Sequence, residues 1–170
     1  QYPVGRQLAA IQAVMSGSVV LCIDVSSSMG GSRITQAIAG AKGFVDEAVE
    51  AGYEVGLVLW NNSVDRTVPL SGDPGKVHSS LSQASASGGT NVVPALNESD
   101  RMLSGRPGDL VVAIFGDGDL GDRAGAMSKA AAMRTRNIRI LTCGLDGSSA
   151  QSLDEISSEQ RERPRSAAPG

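Results

Sequence analysis

Apolar residues along this chain fall into two kinds of segment. Val19-Val20-Leu21-Cys22-Ile23, Tyr53 to Trp60, Leu110 to Phe115 and Ile138 to Leu145 are short, nearly unbroken apolar runs. Such runs suit strands buried on both faces of a parallel sheet. Between them lie longer stretches with helical spacing. Ile34, Ala37, Ile38, Ala41, Val45, Ala48 and Val49 recur every three or four positions from Ser32 to Ala51, the stripe of a helix laid on a sheet, with Gly52 placed to stop it. Asn61-Asn62-Ser63 reads as a turn so short that the run after it, Val64 to Leu70, must return antiparallel as a hairpin.

Asp73 as N-cap and Pro74 at the first helical position predict a helix through Val77 and Leu81 to about Ala84. Residues 85–91 are a Gly- and Ser-rich loop. A helix capped by Asn91 then runs from near Val92 to about Ser104, and an Ala-rich helix from Arg123 to Arg136 is capped by Asp122. Strands alternating with helices give a doubly wound α/β sheet of five mostly parallel strands, order 3-2-1-4-5, with the third antiparallel and helices on both faces. At the ends, Leu8, Ile11 and Met15 predict a helical extension within residues 1–17. The main domain spans 18–160 and includes a short helix near 149–159, and residues 161–170 read as a disordered tail.

Composition narrows the function. A net charge of -3 and few aromatic residues argue against a nucleic-acid groove, and no apolar stretch approaches the roughly 20 residues of a membrane span. The chain opens on Gln and so reads as a processed or excised segment. Cys22 and Cys143 fall on strands with another strand between them, roughly 9–10 Å apart, too far for a disulfide. Reduced, packed cysteines point to the cytoplasm.

The chemistry gathers where strands end. Asp24, Ser26 and Ser28, spaced i, i+2 and i+4, occupy the turn between the first strand and its helix. Asp117 ends the fourth strand, and Thr90 sits in the Gly-rich loop that precedes the helix leading into that strand. First and fourth strands are neighbours where the winding reverses, the usual ligand crevice of such sheets. Two carboxylates and three hydroxyls are hard oxygen donors that suit Mg²⁺ or Mn²⁺. Asp119 reads as solvated or outside the immediate set of donors, Met29 as packed beneath the loop, and Trp60 as core. His78, the one histidine, lies on a surface helix, and no G-x-S-x-G elbow accompanies it.

In Asp24-x-Ser26-x-Ser28, then Gly88-Gly89-Thr90, then Phe115-Gly116-Asp117-Gly118, the chain resembles the von Willebrand factor type A domain family and its metal-ion-dependent adhesion site. The resemblance implies that Ser26 and Ser28 bind Mg²⁺ or Mn²⁺ directly. It implies that Thr90, Asp24 and Asp117 bind directly or through water, and that a partner protein's Asp or Glu fills the last position. It implies a non-enzymatic interaction module. The compact size resembles intracellular members that work beside AAA+ ATPases or in multi-protein assemblies. The family's sixth strand and final helix are expected to be missing, with residues 8–15 covering surface that the final helix would protect. The alternative from another class is a Mg²⁺-dependent phosphoryl-transfer or nuclease-type enzyme using Asp24, Asp117 and Asp119.

Overall fold

In the computed structural model, described over residues 16–144, the apolar runs form five strands. They are β1 (Gly17–Asp24), β2 (Tyr53–Trp60), β3 (Val64–Ser71), β4 (Asp109–Gly116) and β5 (Ile138–Gly144). Their order in the sheet is 3-2-1-4-5, as the hydrophobic pattern implies. β1 pairs parallel with β2 and β4, β4 parallel with β5, and β3 lies antiparallel at the edge. Four helices connect them: α1 (Ser32–Glu50), α2 (Gly75–Ser82), α3 (Val93–Leu103) and α4 (Arg123–Thr135).

Every residue of β1 is buried because the strand is central and covered on both faces. Its alternate side chains serve two cores. Val19, Leu21 and Ile23 pack beside Ala37, Ala41 and Val45 of α1, whereas Val20 and Cys22 pack beside Leu96 and Leu103 of α3 and Ala130 and Met133 of α4. β3 shows the opposite pattern, with Asp65, Arg66, Thr67 and Pro69 exposed, as an edge that must not recruit other strands requires. The winding reverses between β1 and β4, which pair up to Ile23 and Phe115. Asp24 and Asp117 therefore leave the sheet side by side.

Helix starts differ slightly from expectation. Asp73 is not the N-cap of α2. Its Oδ1 accepts from Gly75 N at 2.9 Å, closing a tight turn, and the Pro74 carbonyl takes the first helical bond from His78 N. Asn91 Oδ1 accepts from Val93 N at 3.1 Å, although the helix is counted only from Val93. Asp122 caps α4 as expected, accepting from Gly125 N. Gly52 follows α1 with φ 92°, a left-handed stop. The expected helices at 8–15 and near 149–159, the tail 161–170, the end of the last strand at Leu145 and the missing sixth strand and final helix all lie outside the described residues.

Both cysteines are free. β4 separates them, and they face opposite cores, Cys22 toward α3 and α4 and Cys143 toward α1. Cys22 Sγ lies 2.9 Å from the Ser99 hydroxyl, and burial pushes its thiol up to about 12, which leaves almost no reactive thiolate at neutral pH. In native protein at pH 8, a thiol reagent is expected to label Cys143 first and Cys22 only on unfolding. Equal labelling rates without denaturant would contradict this packing.

Candidate metal centre

The β1 strand ends at Asp24, and the following backbone is held from two sides. Val25 N donates to the Trp60 carbonyl at 2.8 Å, and a single 3₁₀ turn over Ser27–Met29 is anchored by the fully buried Met29 side chain. Ser26 is extended, at φ -68° and ψ 165°, and its hydroxyl does not cap the turn. Instead Ser26 Oγ donates to Asp24 Oδ1 at 2.6 Å, and Ser26 N donates to the same oxygen at 2.9 Å. The Ser28 hydroxyl lies 3.2 Å from that of Ser26 and donates in turn to Asp117 Oδ2. A continuous chain of polar atoms thus runs Asp24–Ser26–Ser28–Asp117, from the end of one parallel strand to the end of its neighbour.

Thr90 arrives by another route. Ser87 N donates to the Val25 carbonyl at 2.8 Å and Ser27 N to the Gly88 carbonyl at 3.0 Å, which stitches the Gly-rich loop to the β1 loop. Asn61 Nδ2 holds the Ser87 carbonyl at 3.0 Å, and Val92 N holds the Leu120 carbonyl at 3.1 Å. A side chain at Gly121 would place its Cβ 2.1 Å from the Thr90 carbonyl oxygen, so the Thr90 backbone lies directly on the loop that follows Asp117. The structure therefore brings Asp24, Ser26, Ser28 and Asp117 into one chain of neighbouring polar atoms. It sets the half-buried Thr90 in the adjoining loop without a hydrogen bond from its hydroxyl to that chain.

Two features of the charge distribution stand out. Asp24 is fully buried, and its second oxygen, Oδ2, has no hydrogen-bond partner. It lies against Gly116, where an added Cβ would meet Oδ2 at 3.3 Å. Burial, aided by the nearby negative Asp117 and opposed by the Ser26 bonds, raises the Asp24 carboxyl to about 6. An orphaned buried carboxylate oxygen costs free energy unless something electropositive meets it. A hard divalent cation suits this donor set of carboxylates and hydroxyls. Among the described residues no group of three or more His, Cys, Asp or Glu side chains could hold a metal, so hydroxyls would have to supply the remaining donors.

Sequence reasoning left two residues out of the site. Arg33, in the first turn of α1, sits 3.5 Å from Asp117 Oδ2 and 3.5 Å from the Ser28 carbonyl, with its own side chain 47% exposed. Its position four residues past Met29 offered a signal, but only the folded turn shows which carboxylate it reaches. Asn61, 8% exposed, carries the β2 end into the Gly-rich loop, a role that an Asn in a predicted turn does not reveal. Asp119, by contrast, is occupied within its own loop, accepting from Gly121 N at 2.9 Å. Of the other side chains, Trp60 is core with an unpaired Nε1, and His78 Nε2 meets Asp46 at 2.8 Å on the surface. No helix among the described residues is long and apolar enough to cross a membrane.

Comparison with known proteins places these features in context. A family model described as the von Willebrand factor type A domain matches residues 19–119. No curated protein sequence matches the chain. Among solved structures, manganese-loaded TRAP protein from Plasmodium vivax is 20% identical with a TM-score of 0.73, covering 91% of this chain and 66% of that one. The vWF domain of the type V pili tip protein Mfa5 from Porphyromonas gingivalis is 15% identical with a TM-score of 0.72, covering 85% and 87%. The conserved hypothetical protein BatB from Bacteroides thetaiotaomicron is 20% identical with a TM-score of 0.67 over 75% of this chain. The chain spans 65% of BatB, a little under two thirds of its length.

Proposed function

Because the chain belongs to the von Willebrand factor type A domain family, we propose that it is a metal-dependent protein-interaction module whose partner presents an Asp or Glu side chain. Asp24, Ser26, Ser28, Thr90 and Asp117 are the residues we assign to hold Mg²⁺ or Mn²⁺. The observation that carries this reading is the buried Asp24 carboxylate, with one oxygen bonded to Ser26 and the other unpartnered, joined through two hydroxyls to a second carboxylate. Support by analogy comes from a neighbour in fold that is described as manganese-loaded and from one that is a pilus tip protein. The bound ion would supply a Lewis-acidic position for an incoming carboxylate. The chain's own part is to hold the oxygens in place before the ion arrives. Asp119, on which the phosphoryl-transfer alternative draws, is exposed and accepts from Gly121 N within its own loop, whereas Asp24 and Asp117 bond to the two serines.

Two consequences follow for solution experiments. Mg²⁺ or Mn²⁺ at millimolar concentration is expected to raise the melting temperature, and EDTA to reverse the rise, because an ion that binds only the folded state stabilises it. In the presence of Mn²⁺, immobilised peptides carrying one Glu or Asp in a neutral context should be retained, and the matching Gln or Asn peptides should not. Retention that survives EDTA, or that ignores the acid-to-amide change, would refute the reading.

Arg33 tunes the same site. Its guanidinium partly neutralises Asp117 and so opposes a cation there. Removing a unit charge this close to a divalent ion relieves about 1 kcal/mol of repulsion near a solvated surface. Arg33→Ala is therefore expected to tighten Mn²⁺ binding roughly five-fold by calorimetry. Weaker binding in that variant would show that Arg33 supports the site instead.

A further inference from the structure

Arg33 stands beside the candidate metal centre with most of its bonding capacity unused. Its Nη1 makes two long contacts, 3.5 Å to Asp117 Oδ2 and 3.5 Å to the Ser28 carbonyl. Its Nε and Nη2 donate to nothing among the described residues, and the side chain is exposed. The charge is also poorly placed for its own helix. A cation in the first turn of a helix opposes the dipole, and that turn of α1 holds no acidic residue. Three and four residues further on stand Gln36 and Ala37, so no ion pair along the helix compensates.

The other charged groups at this end of the sheet are engaged elsewhere. Asp119 and Asp122 accept from Gly121 N and Gly125 N, and Arg123 has an interaction of its own. Around the site the loops present Ser27, Gly30, Gly31, Asn62, Gly88 and Gly89, all exposed and uncharged. An incoming anion therefore finds one open guanidinium edge, on the α1 side of the site.

We propose that Arg33 is the second anchor of this face: the partner presents two acidic side chains two residues apart on an extended segment, one for the ion and one for the Arg33 guanidinium. The inference rests on the metal-dependent reading of the site. With Asp117 committed to a cation, Arg33 would face a carboxylate already neutralised, and an anion on its open edge restores the balance. The spacing follows from the geometry. The 3.5 Å between Nη1 and Asp117 Oδ2, extended by a charge-assisted bond of about 2.8 Å, puts that anion roughly 6 Å from Asp117. On an extended chain, side chains two residues apart share a face at a separation of roughly 6–7 Å, whereas adjacent ones point to opposite faces.

Three synthetic peptides titrated onto the full chain at saturating Mn²⁺ test it: Glu-Ser-Glu in a glycine context, the same two acids held about ten glycines apart, and Glu-Ser-Gln. Saturation removes the contribution of any change in metal affinity. Glu-Ser-Glu is expected to bind roughly two- to five-fold more tightly than the widely spaced pair, the range of an exposed ion pair. Arg33→Gln should erase that advantage and leave binding of Glu-Ser-Gln intact, and Arg123→Gln should preserve it. In Mg²⁺-loaded protein, the Arg33 Nε–H resonance should move with Glu-Ser-Glu and stay in place with Glu-Ser-Gln. Equal affinity for the two spacings, an advantage that survives Arg33→Gln, an equal loss in Arg123→Gln, or a resonance that moves alike with both peptides would each overturn the second anchor and leave the metal reading standing. If no peptide binds in a Mn²⁺-dependent way, both fall together.

Discussion

Asp24→Asn is expected to abolish divalent-cation binding and leave the fold in place. The side chain keeps its shape and one carbonyl oxygen, so the bonds from Ser26 N and Ser26 Oγ to Oδ1 can persist. What disappears is a negative charge that the metal-free protein holds at some cost. Asp24 is fully buried, one of its oxygens lacks a partner, and burial lifts its carboxyl to about 6. Losing a residue that only orients a metal ligand already costs 10–100-fold in affinity, so losing the anionic root of the site should cost about 100-fold or more. The metal-free variant should melt no lower than the parent, because a buried charge without full compensation has been replaced by a neutral amide. Calorimetry with Mn²⁺ and a thermal melt in EDTA read the two halves separately. Unchanged Mn²⁺ binding, or a metal-free fold that collapses, would contradict this account of Asp24.

The second large effect is expected from a residue that offers no ligand at all. Gly121→Ala would put a Cβ 2.1 Å from the Thr90 carbonyl oxygen, a backbone atom that cannot swing aside, at φ 74° where a side chain is strained in any case. The left-handed conformation alone costs about 1–2 kcal/mol, and the clash must add to it by forcing the two loops apart. Because Gly121 N also holds Asp119 and Leu120 holds Val92, the movement disturbs both the loop of Thr90 and the loop of Asp117. We expect a stability loss of roughly 2–4 kcal/mol in urea denaturation together with weakened Mn²⁺ binding. Gly43→Ala, at an exposed position of α1 with open space around it, serves as the control and should do neither harm. If Gly121→Ala were neutral in both assays, the packing of Thr90 against the Asp117 loop would be wrong.

How much of this was legible beforehand depends on the range of the interaction involved. Parallel strands buried on both faces advertise themselves as nearly unbroken apolar runs, so β1, β2 and β4 appear in the sequence close to their actual limits. β5, interrupted by Arg139 and Thr142 and only partly buried, shows more weakly. Strand order follows from the alternation with helices. Local caps were readable to within a residue. Pro74 slipped from the first helical position to the cap because Asp73 closes a turn of its own onto Gly75. The grouping of Asp24, Ser26 and Ser28 with Asp117 was legible because each sits at a strand end whose neighbour is known. The contacts that bind the loops together were not. The bonds of Ser87 to Val25 and of Asn61 to Ser87, and the seat of Thr90 on Gly121, join residues 26 to 62 positions apart, and in each at least one partner is a main-chain atom that every residue possesses. Arg33 could be read only as a basic residue at the margin of the site loops, because a guanidinium in a first helical turn can point to several acceptors, and only the folded turn selects Asp117.

Crystals soaked in MnCl₂ and measured at the manganese absorption edge test the central claim most directly. The account predicts a single strong anomalous peak within bonding distance of Ser26 Oγ and Ser28 Oγ, beside the Asp24 and Asp117 carboxylates, and no such peak in Asp24→Asn crystals. An absent peak, or one lodged elsewhere on the chain, would contradict it.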